Sequence, residues 1–435
     1  MKIAIVGFGE SGRAAYKLAL NKGFDVAVFD ERDLNIDKPN FFVGDKADKF
    51  FELDFDEVVL SPGIKPTHRF VKYALNNGVS VISELEFAFR FAEGKIIAIT
   101  GTNGKSTTVK LIETILKESG KKAIACGNYG FAFSKAVLED ANWFVVEASS
   151  FQLEFTDKFK PHIAAILNIA FDHLYWHGSM KSYIDAKRKI FKNQDEDDFF
   201  IKNGNDDYEY NGKAELFIVS KEIEADCVVK DNSAVVKKPK GFIIDKTNLF
   251  GKKRFENICF AALASVLASA SEKIIKEVSA KMENLEHRVE FVAEVDGVKF
   301  YNDSKATNID AVKNAIESFD ENVRIVVILG GKHKGESYAN LIPLLEKRAK
   351  AVVVYGEDRK KIMVDLEKFI PVPLPTLNIW GAIRAAFEVA GKGDVVLFSP
   401  GGSSCEPYKN FEERGKAFKD EVMKFKEEYE NAPFF

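Results

Sequence analysis

Cysteine is scarce in this chain, with four among its 435 residues. No two of them form a Cys-x-x-Cys pair or the spacing of a zinc finger. Neither a disulfide-stapled small domain nor a cysteine-bound structural metal is therefore predicted. A reducing compartment fits this usage best, and we expect a cytoplasmic protein. The four are Cys126, Cys227, Cys259 and Cys405.

Long apolar runs are also missing. No stretch approaches the roughly 20 apolar residues that a membrane-crossing helix requires. The apolar segment Ile3–Val6 ends at Gly7, which makes it too short for the hydrophobic part of a secretory signal. We therefore expect no membrane insertion and interpret Ile3–Val6 as a first strand.

An excess of either charge is absent as well. The 62 Lys and Arg residues face 66 Asp and Glu residues, which gives a net charge of -4. This balance provides no general attraction to nucleic acid or to an anionic membrane surface. Hydrophobic residues make up 46% of the chain, enough for each of several domains to bury a core.

One pattern recurs along the chain: a short apolar strand, a glycine-rich or polar turn, and an amphipathic helix. This alternation predicts an α/β fold with mostly parallel sheets. Seams near Ser83 and Leu285 suggest three domains: residues 1–83, 84–285 and 286–435. Residues 203–247 are polar and irregular, and no chemistry is assigned to them. The predicted strands that begin the pattern are Ile3–Val6, Ile96–Ile99, Val323–Leu329 and Val395–Phe398.

The first glycine-rich loop, Gly7-x-Gly9-x-x-Gly12, follows a strand and opens a helix, and Asp30 ends the next predicted strand. Such glycines let the backbone approach a diphosphate at a helix N-terminus. The acidic residue at the end of the next strand can accept a hydrogen bond from a hydroxyl or an imide N–H of the same ligand. Three interpretations stay open. They are an NAD site in a dehydrogenase, a site for a UDP-sugar or similar diphosphate, and a tight turn without a ligand.

The second glycine-rich loop, Gly101–Thr107, resembles a phosphate-binding P-loop, although Ile99 stands where the strict pattern has glycine. In this motif backbone N–H groups wrap phosphate, a lysine reaches the outer phosphates, and a hydroxyl can hold Mg²⁺. Glu147 directly follows the predicted strand Trp143–Val146. A carboxylate there fits a Mg²⁺ ligand; a solvated strand-end residue is the alternative.

Lys187 lies on the apolar side of a predicted helix. Helical spacing places it three or four positions from Tyr183, Ile184, Ile190 and Phe191. An inward lysine is unfavourable unless it is paired or neutralised. The alternative is a side chain that extends along the apolar stripe to reach water.

Two segments together resemble the Mur ligase family: Thr100–Thr107 and Glu147-Ala-Ser-Ser-Phe-Gln-Leu-Glu154. The resemblance covers essentially the whole chain. It implies a Rossmann-like N-terminal domain for a UDP-sugar, a P-loop ATPase-like central domain for ATP, and a Rossmann-like C-terminal domain that closes and brings an amino acid. Further segments that agree in order are Ser61–Ile64, Gly127–Gly130, Leu167–His173, Asp185–Lys187, Glu286–Arg288, Asn302–Asn308 and Lys409–Gly415.

The resemblance implies an ATP-dependent ligase of peptidoglycan precursor synthesis, which activates a carboxylate as an acyl phosphate and joins it to an amino acid. The segments Ser149–Glu154, Asn302–Asn308 and Lys409–Glu412 resemble the branch that adds D-glutamate to UDP-N-acetylmuramoyl-L-alanine. Two other functions stay open: a related ligase for another amino acid or a folate, and the NAD-dependent dehydrogenase. A monomer is expected.

The resemblance also implies roles for individual residues. Those expected at the UDP-sugar are Glu10, Ser11, Gly12, Asp30, Glu31, Arg32, Gly63 and Asn128. Those expected at ATP are Gly101, Thr102, Asn103, Gly104, Lys105, Ser106, Thr107, Asn257, Arg288 and Asp303. Those expected at D-glutamate are Thr307, Lys334, Ser404 and Phe411.

By the same resemblance, CO2 carbamylates Lys187 and the protein uses two Mg²⁺ ions. Carbamylation requires the neutral amine, so moving a lysine pKa from ~10.4 to ~7.4 takes about 4 kcal/mol of differential interaction. The expected metal ligands are Ser106, Glu147, His173 and Lys187. The residues expected to take part in chemistry are Lys105, Glu147, His173, Lys187, Arg288 and Lys305.

Overall fold

The computed structural model describes residues 1–36, 38–332, 336–369, 371–404 and 407–431, with only the backbone described for Tyr175. The chain forms two compact units: residues 1–246 with 255–280, and residues 247–254 with 281–435. Two sheets lie in the first unit and one in the second. The predicted α/β class with mostly parallel sheets is confirmed.

The first sheet has the strand order β3-β2-β1-β4-β5, and all its pairs are parallel. Its central strands are apolar except at their ends, because helices cover both faces of a parallel sheet. The carboxyl ends of its strands gather at one edge, where Gly7, Asp30 and Ser61 follow or end a strand. The elements are β1 (Lys2–Val6), α1 (Glu10–Asn21), β2 (Asp25–Asp30), β3 (Phe41–Val43), β4 (Glu57–Leu60), α2 (Arg69–Asn76) and β5 (Ser80–Ser83), with a 3-10 helix at Gly44–Glu52.

The second sheet carries the P-loop. Its strand order is β14-β13-β12-β11-β10-β9-β6-β8-β7. Its strands are β6 (Lys95–Thr100), β7 (Ala123–Gly127), β8 (Trp143–Glu147), β9 (Ile163–Ile166), β10 (Phe199–Asn203), β11 (Glu215–Ser220), β12 (Cys227–Lys230), β13 (Ser233–Val236) and β14 (Phe242–Ile244). Its helices are α3 (Glu84–Phe89), α4 (Lys105–Glu118), α5 (Phe133–Ala136), α6 (Ser150–Glu154), α7 (Leu174–His177), α8 (Met180–Arg188), α9 (Arg254–Leu267) and α10 (Glu272–Lys281), with a 3-10 helix at Lys189–Phe191.

The description of residues 203–247 as irregular was wrong. Strands β11 to β14 form within this segment and extend the second sheet, with β12, β13 and β14 as an antiparallel meander. Each of these strands has only three to six residues, so its apolar positions are too few to stand out among the charged ones. Pairing with a neighbouring strand, which is long-range information, stabilises them.

The third sheet lies in the second unit and has the order β15-β16-β20-β17-β18-β19. Strand β15 is antiparallel to β16, and the other pairs are parallel. Its strands are β15 (Glu290–Val295), β16 (Val298–Asn302), β17 (Ile325–Gly330), β18 (Ala349–Tyr355), β19 (Leu374–Thr376) and β20 (Val395–Gly401). Its helices are α11 (Ile309–Ile316), α12 (Ile342–Arg348), α13 (Arg359–Asp365), α14 (Ile379–Val389) and α15 (Phe411–Glu430), with a 3-10 helix at Tyr338–Leu341.

Apolar faces anchor the helices that begin at the functional loops. In α4 the side chains of Val109, Ile112 and Leu116 are fully buried, and each contributes about 1.5–3 kcal/mol when removed from water. This packing fixes the start of α4 at Lys105 against the sheet. Among the described helices, none combines the length and the apolar composition needed to cross a membrane.

Candidate functional site

A cavity of about 510 Å³ opens at the carboxyl ends of β1, β2 and β4. Ligands bind at this edge of open parallel sheets because loops and helix N-termini converge there. Six of the residues predicted for the UDP-sugar line this cavity: Glu10, Ser11, Asp30, Glu31, Arg32 and Gly63.

Asp30 organises the wall of this cavity through its own hydrogen bonds. Its Oδ2 accepts from the Phe8 N–H at 2.8 Å, and its carboxylate accepts a bidentate pair from the Arg32 guanidinium at 2.8 and 2.9 Å. Burial alone would raise the pKa of Asp30. The Arg32 side chain and the backbone N–H groups of Phe8 and Arg32 together lower that pKa below its ordinary value. Asp30 is therefore a carboxylate that holds Arg32 and the first glycine loop in place.

Two residues predicted for the UDP-sugar lie outside the cavity lining. Gly12 lies under the first loop, where a Cβ atom would come within 1.9 Å of the Gly7 carbonyl oxygen. Asn128 follows β7 in the second sheet and donates to Glu147 Oε1 at 2.7 Å. Gly12 thus permits close packing of α1 on the loop, and Asn128 lies at the P-loop side of the unit.

Two polar side chains, Ser61 and His68, are among the lining residues that were not predicted for the UDP-sugar. Ser61 Oγ donates to the Gly7 carbonyl at 2.7 Å, which joins the ends of β1 and β4. His68 Nε2 lies 3.4 Å from Glu31 Oε2. The position of Ser61 directly after a strand was the available signal, because strand ends of one parallel sheet meet at the same edge.

The P-loop leaves β6 at Gly101 and enters α4 at Lys105. Gly104 has a φ of 86°, a left-handed conformation that glycine adopts readily. Lys105 Nζ donates to the carbonyl oxygens of Gly101 and Thr102 at 2.8 and 2.9 Å. The ammonium group therefore lies over its own loop, where a phosphate chain would be wrapped.

Asn168, which sequence reasoning did not single out as a site residue, shapes the P-loop. Its Oδ1 accepts from the Asn103 N–H at 2.9 Å, and its Nδ2 donates to the Asn103 carbonyl at 3.0 Å. Its backbone carbonyl also accepts from the Thr102 N–H at 2.9 Å. Asn168 lies two residues beyond β9, the neighbour of β6, so the sheet order explains the contact.

Ser106 and Glu147 meet at the start of α4. Ser106 Oγ donates to Glu147 Oε2 at 2.6 Å, and both side chains are buried. Strands β6 and β8 are adjacent, with Ile99 paired to Glu147, so the carboxylate faces the P-loop as predicted. A hydroxyl and a carboxylate side by side form the type of oxygen pair that Mg²⁺ prefers.

Two further residues that were predicted for ATP, Thr107 and Asn257, lie at the start of α4 or against it. Asn257 in α9 packs on Gly104, where an added Cβ would meet its Oδ1 at 2.4 Å. Thr107 is half-buried in the first turn of α4. Arg288 and Asp303 lie in the second unit.

Lys187 is buried, with 2% of its surface exposed, as the helical spacing predicted. Its Nζ donates to the Gly101 carbonyl at 2.9 Å and lies 4.6 Å from the centre of the Tyr183 ring. Burial lowers the pKa of Lys187 well below its usual range, and the nearby Lys105 cation lowers it further, against the opposing effect of Asp172. A buried amine of this kind reaches the P-loop from α8.

His173 lies at the N-cap of α7 with a φ of 57°. Its Nε2 is 3.3 Å from Asp172 Oδ2, and its ring lies 4.7 Å from the ring of Phe151. In the part of the chain that the structure describes, no group of three His, Cys, Asp or Glu side chains converges as a ready metal site.

The second unit places several predicted residues after β16. Asp303 is buried, and its carboxylate accepts from Ser399 Oγ at 2.7 Å and from the Val289 N–H at 3.2 Å. Burial raises the pKa of Asp303 to about 7, although Ser399 and Arg288 oppose this change. The Lys305 ammonium lies 3.6 Å from the centre of the Phe411 ring.

The residues predicted for D-glutamate lie near strand ends of the third sheet. Thr307 precedes Asn308, the N-cap of α11, and Phe411 is the first residue of α15. Ser404 follows β20, and its Oγ is buried without a hydrogen-bond partner among the described residues. Lys334 lies outside the described residues.

Comparison with known proteins covers nearly the whole chain. Residues 1–83 match the "Mur ligase MurD-like, N-terminal domain", residues 99–266 the "Mur ligase middle domain", and residues 287–402 the "Mur ligase, glutamate ligase domain". None of these models describes a dehydrogenase, so the NAD interpretation of the first loop gains no support from them.

Individual relatives agree with the family models. The chain is 36% identical over 446 residues to the UDP-N-acetylmuramoylalanine–D-glutamate ligase of Geobacillus kaustophilus, covering 98% of each chain. It is 37% identical over 449 residues to the ligase of the same name from Koribacter versatilis, again covering 98% of each. The fold is similar to that of the MurF ligase from Thermotoga maritima, with a TM-score of 0.63, 17% identity, and coverage of 97% and 95%. From these matches and the geometry of its phosphate loop, the chain belongs to the Mur ligase family.

Proposed function

We propose that this protein is an ATP-dependent ligase that joins D-glutamate to UDP-N-acetylmuramoyl-L-alanine. The observation that carries the proposal is the Ser106–Glu147 hydrogen bond at the start of α4, with the buried Lys187 amine on the carbonyl of Gly101 in the same loop. The relatives named above carry this activity in their names, and they align along almost the entire chain.

We assign the UDP-sugar to the cavity of the first sheet. Its lining combines the N-terminus of α1, which favours a diphosphate, with the Arg32 guanidinium held by Asp30. Glu10, Ser11 and Gly63 would face the same ligand. Gly12 and Asn128 would act indirectly, because Gly12 lies under the loop and Asn128 is bonded to Glu147.

We assign ATP to the loop Gly101–Thr107, with Asn257 beside it. In the second unit, Asp303 would meet the ribose, and Arg288 and Lys305 the transferred phosphoryl group. Thr307, Lys334, Ser404 and Phe411 would hold D-glutamate. We further propose that the three sheets are the cores of three domains, residues 1–83, 84–285 and 286–435, of which the third closes over the substrates as the resemblance implies.

The residues of the P-loop fit a divalent cation. Ser106 and Glu147 supply adjacent oxygen ligands, and Mg²⁺ bound there would offset the negative charge of the phosphates. Lys187 fits the proposed carbamate because a buried amine with a lowered pKa has more of the neutral form that CO2 requires. The resulting anion, with His173, would hold a second Mg²⁺.

The proposed reaction has two steps. A carboxylate oxygen of the UDP-sugar substrate attacks the terminal phosphorus of ATP, the bond to ADP breaks, and an acyl phosphate forms. The amine of D-glutamate then attacks the acyl carbon, loses a proton, and inorganic phosphate leaves. Lys105 and Arg288 would stabilise the charge that develops on the phosphoryl group, and exclusion of water would prevent wasteful hydrolysis.

The test is phosphate release by the purified protein with ATP, Mg²⁺, UDP-N-acetylmuramoyl-L-alanine and D-glutamate. Phosphate release should require both UDP-N-acetylmuramoyl-L-alanine and D-glutamate. When L-glutamate, lysine or D-alanine replaces D-glutamate, the rate of release should be low. Equal release when either cosubstrate is omitted would contradict the proposal. Hydride transfer to NAD would instead support the dehydrogenase. We place the reaction in the cytoplasm and expect a monomer, which light scattering can check.

A further inference from the structure

Arg414 is a buried cation that forms no ion pair with any residue that the structure describes. Only 1% of its surface is exposed, and it is among the largest fully buried side chains of the described chain. Within the described residues its hydrogen bonds all go to neutral oxygen atoms of Ser304 and Gly402. Buried charges are normally paired. The Arg414 charge acts on the buried Asp303, whose pKa it lowers, but the two side chains form no ion pair, so an anionic ligand would add the compensation that a direct partner gives.

The guanidinium joins the ends of two strands to a helix. Its Nε and Nη2 donate to Ser304 Oγ at 3.0 Å and to the Ser304 carbonyl at 2.6 Å, and its Nη1 donates to the Gly402 carbonyl at 3.0 Å. Ser304 Oγ in turn donates to the Phe411 carbonyl at 2.8 Å. Arg414 therefore fixes the loops after β16 and β20 and the first residue of α15.

The end of β17 belongs to the same cluster. The Lys332 N–H donates to the Ser403 carbonyl at 2.8 Å, and the Ser403 N–H donates back to the Lys332 carbonyl at 3.1 Å. A Cβ on Gly331 would lie 2.8 Å from Arg414 Nη1. Glycine at that position lets the end of β17 approach the guanidinium. The guanidinium therefore lies beneath the loops that follow β16, β17 and β20.

We propose that Arg414 is a positioning residue for the side-chain carboxylate of the amino-acid substrate. It shapes the loop that bears Ser404, whose buried hydroxyl lacks a described partner, and it holds Phe411 at the start of α15. Its positive charge favours a second carboxylate on the substrate and thus selects an acidic amino acid over a neutral one of the same shape. This inference rests on the proposed function.

The test compares R414Q and R414K with R348Q. Arg348 is also buried in the second unit and donates to the Phe319 and Asp320 carbonyls, but it lies where β18 begins, at the opposite edge of the sheet. R414Q loses both the positive charge and the hydrogen bonds that hold the loops, so its KM for D-glutamate should rise by about 10- to 100-fold. R414K keeps the charge and should show a smaller rise. The KM values for ATP and the UDP-sugar should change little.

Preference for D-glutamate over the neutral D-glutamine separates a charge role from a structural one. Wild type and R348Q should keep this preference, whereas R414Q should lose most of it. If R414Q keeps both its KM for D-glutamate and its preference, the inference is overturned, even if its Tm falls. Should R414Q not fold, an unchanged KM in R414K overturns it instead. Failure of wild type to use D-glutamate at all would contradict the proposed function rather than this inference.

Discussion

Ser106 Oγ donates to Glu147 Oε2 at 2.6 Å, although 41 positions separate the two residues in sequence. The contact exists because β6 and β8 are neighbours in a parallel sheet, so the residues that follow them meet at one edge. Glu147 also accepts from Asn128 Nδ2. A carboxylate between a hydroxyl and an amide is a preorganised oxygen site at the mouth of the P-loop.

Glu147→Gln should remove activity and preserve the fold. The amide keeps the size of the side chain and can still accept from Ser106, but it loses the negative charge that attracts Mg²⁺. We expect kcat to fall by about 100-fold or more, the loss of several kcal/mol of charge stabilisation, with Tm nearly unchanged. Phosphate release at saturating substrates measures this.

The exposed Glu139 provides the control for this change, since E139Q removes the same charge in the same unit at a surface position. E139Q should behave like wild type. A fully active E147Q would remove Glu147 from the proposed metal site.

Lys187→Ala should abolish turnover, and high bicarbonate should not restore it, because the variant has no amine to carbamylate. In wild type, removal of dissolved CO2 should lower the rate, and added bicarbonate should restore it. The exposed Lys192 offers the control K192A, which should respond to CO2 as wild type does. Near-normal turnover in K187A would exclude the carbamate.

Gly9→Ala and Gly12→Ala should separate ligand binding from packing in the first loop. A Cβ on Gly9 meets no atom within 4 Å, whereas one on Gly12 lies 1.9 Å from the Gly7 carbonyl oxygen. G12A should therefore lose about 1–3 kcal/mol of unfolding free energy from overpacking. G9A should keep its Tm and raise the KM for the UDP-sugar, because Gly9 lines the cavity. Thermal unfolding and substrate titration distinguish the two, and equal Tm losses would refute this assignment.

Asp303→Asn should change how stability depends on pH. The carboxyl has a folded pKa of about 7, above its ordinary 3.8, so the folded state binds the proton more tightly than the unfolded state. The stabilisation of the folded state that comes from this pKa difference is fully present below pH 4 and declines as pH rises to about 7. The Tm of D303N minus the Tm of wild type should therefore increase as pH rises from 4 to 7. A constant Tm difference over that range would show that Asp303 does not titrate as described.

The sequence predicted the parts of the fold that have strong local patterns. The strands before each glycine-rich loop form where expected, although β17 begins at Ile325 and not at the predicted Val323, and several other strand ends extend by one to three residues. The buried position of Lys187 followed from helical spacing alone. The short strands between residues 203 and 247 were missed, since each depends on its partner strands and not on its own composition.

The residues of the candidate site likewise form two groups, those that the sequence could identify and those that it could not. The loop motif identified Lys105 and Ser106, because backbone wrapping of a phosphate requires glycines and a lysine at fixed spacing. The position of Glu147 directly after the predicted strand Trp143–Val146 identified the carboxylate. Motifs could not reveal that Asn168 braces the P-loop or that His68 faces the first cavity, because these residues have no distinctive neighbours in sequence.

The sequence by itself determined the alternation of strands and helices and the chemistry carried by each loop, since periodicity and glycine placement act over a few residues. Only the tertiary structure decided which loops share a sheet edge, and with that the bonds of Ser106 to Glu147 and of Arg414 to Ser304 and Gly402. The physical reason is that strand order sets which side chains meet, and strand order is fixed by burial and pairing between segments distant in the chain.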